Sequence, residues 1–133
     1  MGGQAFSKLD GTWSVVRLDP GSGLPDWVGA ASAFLSITRS ADELSIVCEE
    51  RLVPGDLRGP FAWSVLKLRG PFAFEEVGIL AAFAAPLAEA GIPLFALSTA
   101  DTDYLLVPAG RADEAIARLV EAGHRFEAAV PPA

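Results

Sequence analysis

Four acidic residues stand at two places in the sequence where charged side chains could act together. Glu75 and Glu76 open a predicted helix, and Asp101 and Asp103 flank a predicted hairpin turn. Acids in a first helical turn most often complement the helix dipole, and aspartate is common in turns. Their oxygens could also gather around a hard cation, but the spacing matches no metal-loop motif. By themselves these acids therefore predict no metal site.

The other residues with catalytic potential are isolated. His124 is the only histidine, and it follows a glycine at the start of a predicted strand, where we expect a surface position. It supports no Ser/His/Asp or Cys/His arrangement, and the usual zinc ligand sets are missing. Cys48 lies in an apolar predicted strand, where a cysteine is most often an inert buried thiol. The sequence contains neither G-x-G-x-x-G nor a P-loop. We therefore expect no enzymatic activity and no cofactor.

Composition limits the partners. The chain has 133 residues, 51% of them apolar and 20% charged, which suits a packed core. A net charge of −7 disfavours nucleic acid and anionic membrane surfaces. The longest apolar stretch, residues 77–87, is too short to span a bilayer. A single cysteine and no signal-peptide pattern predict a cytoplasmic protein.

The second half of the chain alternates strands and helices. Its predicted elements are strand 63–69, helix 75–90, strands 93–99 and 104–107, helix 111–122 and strand 124–129. Gly91 and Gly123 fit the position just past a helix end. Pro86 removes a backbone donor, so we expect a kink there or a break near Ala82, whose carbonyl loses its partner. This order predicts an α+β, ferredoxin-like βαββαβ module, an antiparallel sheet with both helices on one face.

The first half looks like a shortened copy of the second. Residues 11–18 predict a strand, and residues 24–28 allow at most one helical turn. Residues 32–38 and 44–48 predict a hairpin. The proline- and glycine-rich residues 51–60 indicate a linker. This half is therefore predicted to be a degenerate module packed against a complete one.

Several short motifs resemble those of ACT domains. They are F-x-E-x-G-I at residues 74–79, A-P-L-A at 85–88, L-S-T at 97–99 and D-Y-L-L-V-P at 103–108. The part of the sequence that carries these motifs is similar to the ACT modules of the CASTOR arginine sensors and to short bacterial tandem-ACT proteins. The resemblance implies an N-terminal tail over residues 1–10, a degenerate ACT-like module with linker over 11–60 and a complete ACT module over 61–130.

The resemblance also implies function, because ACT domains are regulatory and usually bind amino acids at module interfaces. Carried over by motif position, the ligand contacts are Glu76, Gly78, Ile79, Thr99, Ala100 and Asp103. Ala82 and Phe83 match the helix positions that a neighbouring module offers to the same pocket.

The chemistry of these residues suits a zwitterion. A helix N-terminus with unpaired N–H groups favours a carboxylate, and Gly78 has no side chain to obstruct its approach. Asp103 and Glu76 could accept hydrogen bonds from an ammonium group, and Thr99 supplies a hydroxyl. These acids favour a cationic or neutral amino acid over an acidic one.

The sequence departs from the sensors in two respects. Ala100 stands where the sensors have an aromatic residue that encloses the ligand's long side chain, so arginine specificity does not carry over. The sensors also hold two copies of the module pair, and this chain holds one. Because a pocket between two complete modules would need a second chain, we expect a homodimer. Signalling would then require a downstream protein, which the sequence does not identify. A protein-interaction module without a small ligand and a small enzyme of the same fold remain as alternatives.

Overall fold

The computed structural model describes residues 3–31, 33–70 and 77–128, which form two compact units. The large unit comprises residues 1–10 and 64–133, and the small unit comprises residues 11–63. The strands are β1 (Ala5–Lys8), β2 (Trp13–Leu18), β3 (Ser36–Arg39), β4 (Leu44–Glu49), β5 (Trp63–Leu68), β6 (Phe95–Ser98), β7 (Asp103–Pro108) and β8 (Arg125–Phe126). The helices are α1 (Ile79–Glu89) and α2 (Ala112–Glu121).

The small unit is built on an antiparallel hairpin. β4 pairs with β2 on one side and with β3 on the other, in the registers Val16↔Ile46 and Ile37↔Ile46. A short 3-10 turn at Asp26–Ala30 stands where the sequence allowed at most one helical turn. Alternate residues of the strands meet this turn in a core formed by Val16, Val28, Leu44, Ile46, Cys48 and Val53. The predicted hairpin is confirmed.

The large unit contains the complete module. Its strands follow the order β6-β7-β5-β1-β8, and α1 and α2 pack against each other. The core includes Phe6, Leu66, Leu68, Phe83, Leu87, Ile92, Leu105, Val107, Ala112, Ala115 and Leu119. The chain order from β5 to β8 is βαββαβ, so the predicted α+β ferredoxin-like fold is confirmed.

The N-terminal strand β1 was not predicted, because residues 1–10 were expected to form a tail. β1 lies between β5 and β8, antiparallel to the first and parallel to the second. Phe6, which is 1% exposed, packs edge to face with Phe83 at 5.8 Å between ring centroids. A four-residue strand carries too little periodic signal to be recognised, and its burial depends on tertiary contacts. Among the described residues of this unit, the sheet therefore contains five strands, and β1 and β8 form a parallel pair.

Helix α1 continues through Pro86, so the expected break near Ala82 is wrong. The Ala82 carbonyl, which has no amide donor four residues later, accepts from His124 Nε2 at 2.9 Å instead. Both helices end as predicted, on glycines with left-handed backbone, Gly91 at φ 69° and Gly123 at φ 103°. No helix in the described ranges is long and apolar enough to cross a membrane.

Candidate functional site

The β6–β7 turn carries three of the predicted contact residues, Thr99, Ala100 and Asp103. The Thr99 amide donates to the Thr102 carbonyl at 2.9 Å, and the Thr99 hydroxyl donates to the same carbonyl at 3.1 Å. Asp103, the first residue of β7, accepts a hydrogen bond from the Ser98 hydroxyl at 2.5 Å. Ala100 is exposed at the tip. These polar groups are therefore held by their neighbours in the turn.

The end of β5 lies directly against this turn. The Thr102 hydroxyl is buried and donates to the Leu68 carbonyl at 2.7 Å. A Cβ on Gly70 would come within 2.6 Å of the Asp101 carbonyl oxygen, so only glycine allows this approach. The segment that leaves β5 towards α1 therefore starts beside the residues of the turn. Thr102 and Gly70 were not predicted as site residues, although glycine after a buried strand is a signal for close backbone approach.

The start of α1 carries Gly78 and Ile79. Gly78 is the N-cap with φ +81°, a conformation that favours glycine. A Cβ there would meet no atom of the described residues within 4 Å, and the positive φ accounts for glycine at this position. Gly78 offers no side-chain cap to the first turn, and first-turn N–H groups have no intrahelical acceptor. The start of α1 can therefore accept an anion. Glu76, like Glu75, lies outside the described residues.

Ala82 and Phe83, the two residues predicted to contribute to a neighbouring module's pocket, differ in their exposure. Ala82 is exposed, as that role requires. Phe83 is fully buried in the core of its own unit, where its ring stacks on His124 with the centroids 3.8 Å apart. The interpretation of Phe83 as a pocket residue for a neighbouring chain is therefore wrong, because helical periodicity turns it inward between β1 and α2.

His124 is the residue that the sequence misplaced most clearly. It is 6% exposed rather than at the surface. Its Nδ1 accepts from the Gln4 amide at 3.2 Å, and its Nε2 donates to the Ala82 carbonyl. This neutral tautomer connects three separate segments of the large unit. The signal in the sequence was Pro86, which leaves one carbonyl in need of a donor.

The described residues include no group of three or more histidines, cysteines, aspartates or glutamates that could hold a metal ion. Among the acids first considered for a cation, Asp101 and Asp103 lie at the turn. The described turn therefore offers hydrogen-bonding groups, namely the carboxylates of Asp101 and Asp103 and the hydroxyls of Thr99 and Thr102.

Two family models match separate parts of the chain. A model of the ACT domain matches residues 59–121, and a model of an N-terminal domain matches residues 11–56. ACT domains are typically ligand-binding regulatory domains. None of the curated proteins matches the chain.

Solved structures share the fold. The protein Atu0741 from Agobacterium tumefaciens is similar over 98% of this chain and 96% of its own, with 37% identity and a TM-score of 0.88. VC0802 from Vibrio cholerae, described as a possible transport protein of unknown function, is 24% identical over 90% of both chains, with a TM-score of 0.73. Aspartate kinase from Clostridium acetobutylicum matches 88% of this chain over 33% of its own length, with 10% identity and a TM-score of 0.59. This chain therefore contains an ACT domain at residues 59–121 and belongs to the same family as Atu0741.

Proposed function

We propose that this protein is a non-catalytic sensor that binds a free amino acid through residues of the β6–β7 turn and of the start of α1. One observation carries the proposal. Gly70, which begins the segment leading to α1, lies against Asp101 and Thr102 of the turn. The segment that leads to Gly78 and Ile79 therefore begins beside the turn that carries Thr99, Ala100 and Asp103, which supports a site formed by both groups of residues.

The chemistry of an amino acid fits these groups. Its carboxylate would meet the N–H groups of Gly78 and Ile79, which have no acceptor within the helix, and would gain from the helix dipole. Its ammonium would donate to Asp103, whose carboxylate offers about four acceptor positions, one of them used by Ser98. Thr99 would add a hydroxyl contact, and Glu76 a second carboxylate. Two acids and no cation among these residues favour a neutral or cationic amino acid.

The proposal includes a homodimer. Ala100 is small and exposed, so it leaves the ligand's side chain uncovered on that side. A second copy of the chain would cover it, with the exposed Ala82 of its α1 as the contact. Because no catalytic activity is proposed for the chain itself, occupancy would be signalled by association with a downstream protein.

A second candidate is a protein-interaction module that binds no small ligand. It is favoured by the pairing of Ser98 with Asp103 and of Thr99 with Thr102, since these polar groups already satisfy one another. Under this alternative the turn is a structural feature, and the polar groups need no ligand.

Thermal unfolding in the presence of each of the twenty amino acids separates the two functions. A ligand at a hundredfold excess over its Kd stabilises the folded state by about 2.7 kcal/mol, which corresponds to a rise in Tm of roughly 10 °C for a domain of this size. The sensor predicts such a rise with one or two amino acids and its loss in Asp103→Ala. Asp101→Ala is the matched control, because it removes an exposed carboxylate from the same turn. No shift with any amino acid would favour the interaction module.

A further inference from the structure

A cavity lies beside β1 and β5 of the large unit. Its volume is about 360 Å³, and its lining includes Ser7, Lys67, Arg69 and Glu127. Pockets that bind small molecules start at roughly this volume. None of the residues assigned to the amino-acid site lines it.

The register of the strands places the polar residues on the face of the sheet away from the helices. Phe6 and Leu68 are paired neighbours in the core. Because successive side chains alternate between faces, the next pair, Ser7 and Lys67, points to the opposite face. Arg69 lies two residues beyond Lys67 and shares its face. The Glu127 amide donates to the Phe6 carbonyl at 2.8 Å, which continues the β8–β1 ladder and sets Glu127 beside Ser7.

The side chains that line this cavity carry more positive than negative charge. Arg69 Nη1 donates to both oxygens of Glu127, at 3.2 and 3.1 Å. Lys67 makes no ion pair with any described residue, and its Nζ lies 6.0 Å from the centroid of the Tyr104 ring. Two cations therefore face one carboxylate in a chain whose net charge is −7. The Arg69 side chain is 69% exposed and Glu127 38%, so water screens their pair and it can rearrange around a ligand at little cost.

We propose that this cavity binds a small organic carboxylate. The carboxylate would accept charge-assisted hydrogen bonds from Lys67 Nζ and, through its second oxygen, from the Ser7 hydroxyl. The guanidinium of Arg69 has donors beyond the Nη1 group used by Glu127 and would add a second positive charge. Glu127 would accept from a ligand ammonium where the ligand has one. The groups proposed to bind the carboxylate are distinct from the ligand contacts assigned to the amino-acid site, although Gly70 borders both places.

The test is a titration of the full chain with succinate and, separately, with glycine, followed by backbone amide shifts in NMR spectra. We expect saturable shifts at Ser7 and at residues 67–70 with succinate. Lys67→Met keeps the aliphatic stem and should weaken succinate binding about tenfold, the effect of losing one charged hydrogen bond. Lys8→Met is the matched control, because it removes the same charge from the neighbouring position on the other face. Glu127→Gln should weaken glycine binding and spare succinate.

The results distinguish this site from the amino-acid site. Asp103→Ala should leave the succinate shifts unchanged, whereas it removes the response at Thr99 and Gly78 if that site binds a ligand. The carboxylate proposal is overturned if succinate gives no saturable shifts at Ser7 and residues 67–70 in a folded chain. It is also overturned if Lys8→Met weakens binding as much as Lys67→Met, since the effect would then be one of overall charge.

Discussion

Replacing His124 with alanine tests the best-defined polar contact of the large unit. The imidazole accepts from the Gln4 amide, donates to the Ala82 carbonyl and stacks on Phe83. Ala82 depends on this contact because Pro86 supplies no backbone donor to it. We therefore expect His124→Ala to destabilise the fold strongly.

The magnitude follows from the contacts that are lost. Each hydrogen bond left unpaired in a part-buried place costs about 1 kcal/mol, and His124 makes two. A stacked ring pair contributes about 1 kcal/mol beyond its buried area. His124→Ala should therefore lower the free energy of unfolding by about 3 kcal/mol.

Urea unfolding followed by circular dichroism measures this loss. A double-mutant cycle with Pro86→Ala identifies its cause, because alanine at position 86 restores an N–H to the Ala82 carbonyl. Pro86→Ala should then stabilise the His124→Ala protein by about 1 kcal/mol more than it stabilises the wild type. A loss below about 1 kcal/mol in His124→Ala, or no coupling in the cycle, would refute this reasoning.

Three further predictions concern stability and reactivity. Gly70→Ala should lower the free energy of unfolding by about 2 kcal/mol in urea titrations, because the added Cβ would meet a carbonyl oxygen at 2.6 Å. Gly110→Ala is the control and should change the free energy of unfolding little, because the Cβ added there would meet no described atom within 4 Å. Arg111→Ala should cost about 1 kcal/mol by the same assay, since its guanidinium donates to two carbonyls at the end of α1; an equal loss in Arg118→Ala, whose ion pair is 4.0 Å long, would point to charge alone. Burial, and then the neighbouring carboxylate, raises the pKa of the Cys48 thiol, so aromatic disulfide reagents should label it only after unfolding at neutral pH. The stability that the protonated Cys48 thiol contributes is fully present below the pKa of the unfolded chain's thiol and is lost as pH rises through the pKa of the folded chain's thiol. If the wild type and Cys48→Ala had the same stability profile at alkaline pH, this prediction would be contradicted.

The sequence predicted the fold well where apolar residues recur at regular spacing along a whole element. Helix α2, with Ala112, Ala115 and Leu119 on one side, and the strands around both hairpins repeat their apolar residues at regular spacing. Gly91 and Gly123 marked the helix ends because only a residue tolerant of positive φ fits there. These features are local, and a sequence alone expresses them.

Features that depend on distant contacts escaped prediction. β1 has four residues, and its Phe6 is buried only because β5, β8 and Phe83 surround it. His124 looked like a surface residue because nothing near it in sequence shows that Ala82 needs a donor. Phe83 was assigned to a partner's pocket by motif position, whereas the periodicity of α1 buries it.

The assignment of ligand contacts to the candidate site stays a prediction. The hairpin turn forms where the sequence predicted it, whereas α1 begins at Ile79 and the predicted helix began at residue 75. The bonds of Ser98 to Asp103 and of Thr99 to Thr102 could not be foreseen, because they depend on the turn's geometry. Gly78 was predicted to leave room for a ligand, which stays a prediction, and the structure adds that its positive φ favours glycine.

The measurement that tests the central claim most directly is amide chemical-shift mapping of the full chain with the amino acid that gives the largest thermal shift. A sensor predicts saturable shifts centred on Gly78, Ile79 and residues 99–103, which disappear in Asp103→Ala and persist in Asp101→Ala. Shifts that are absent with every amino acid, or that leave these residues unaffected, would contradict the account.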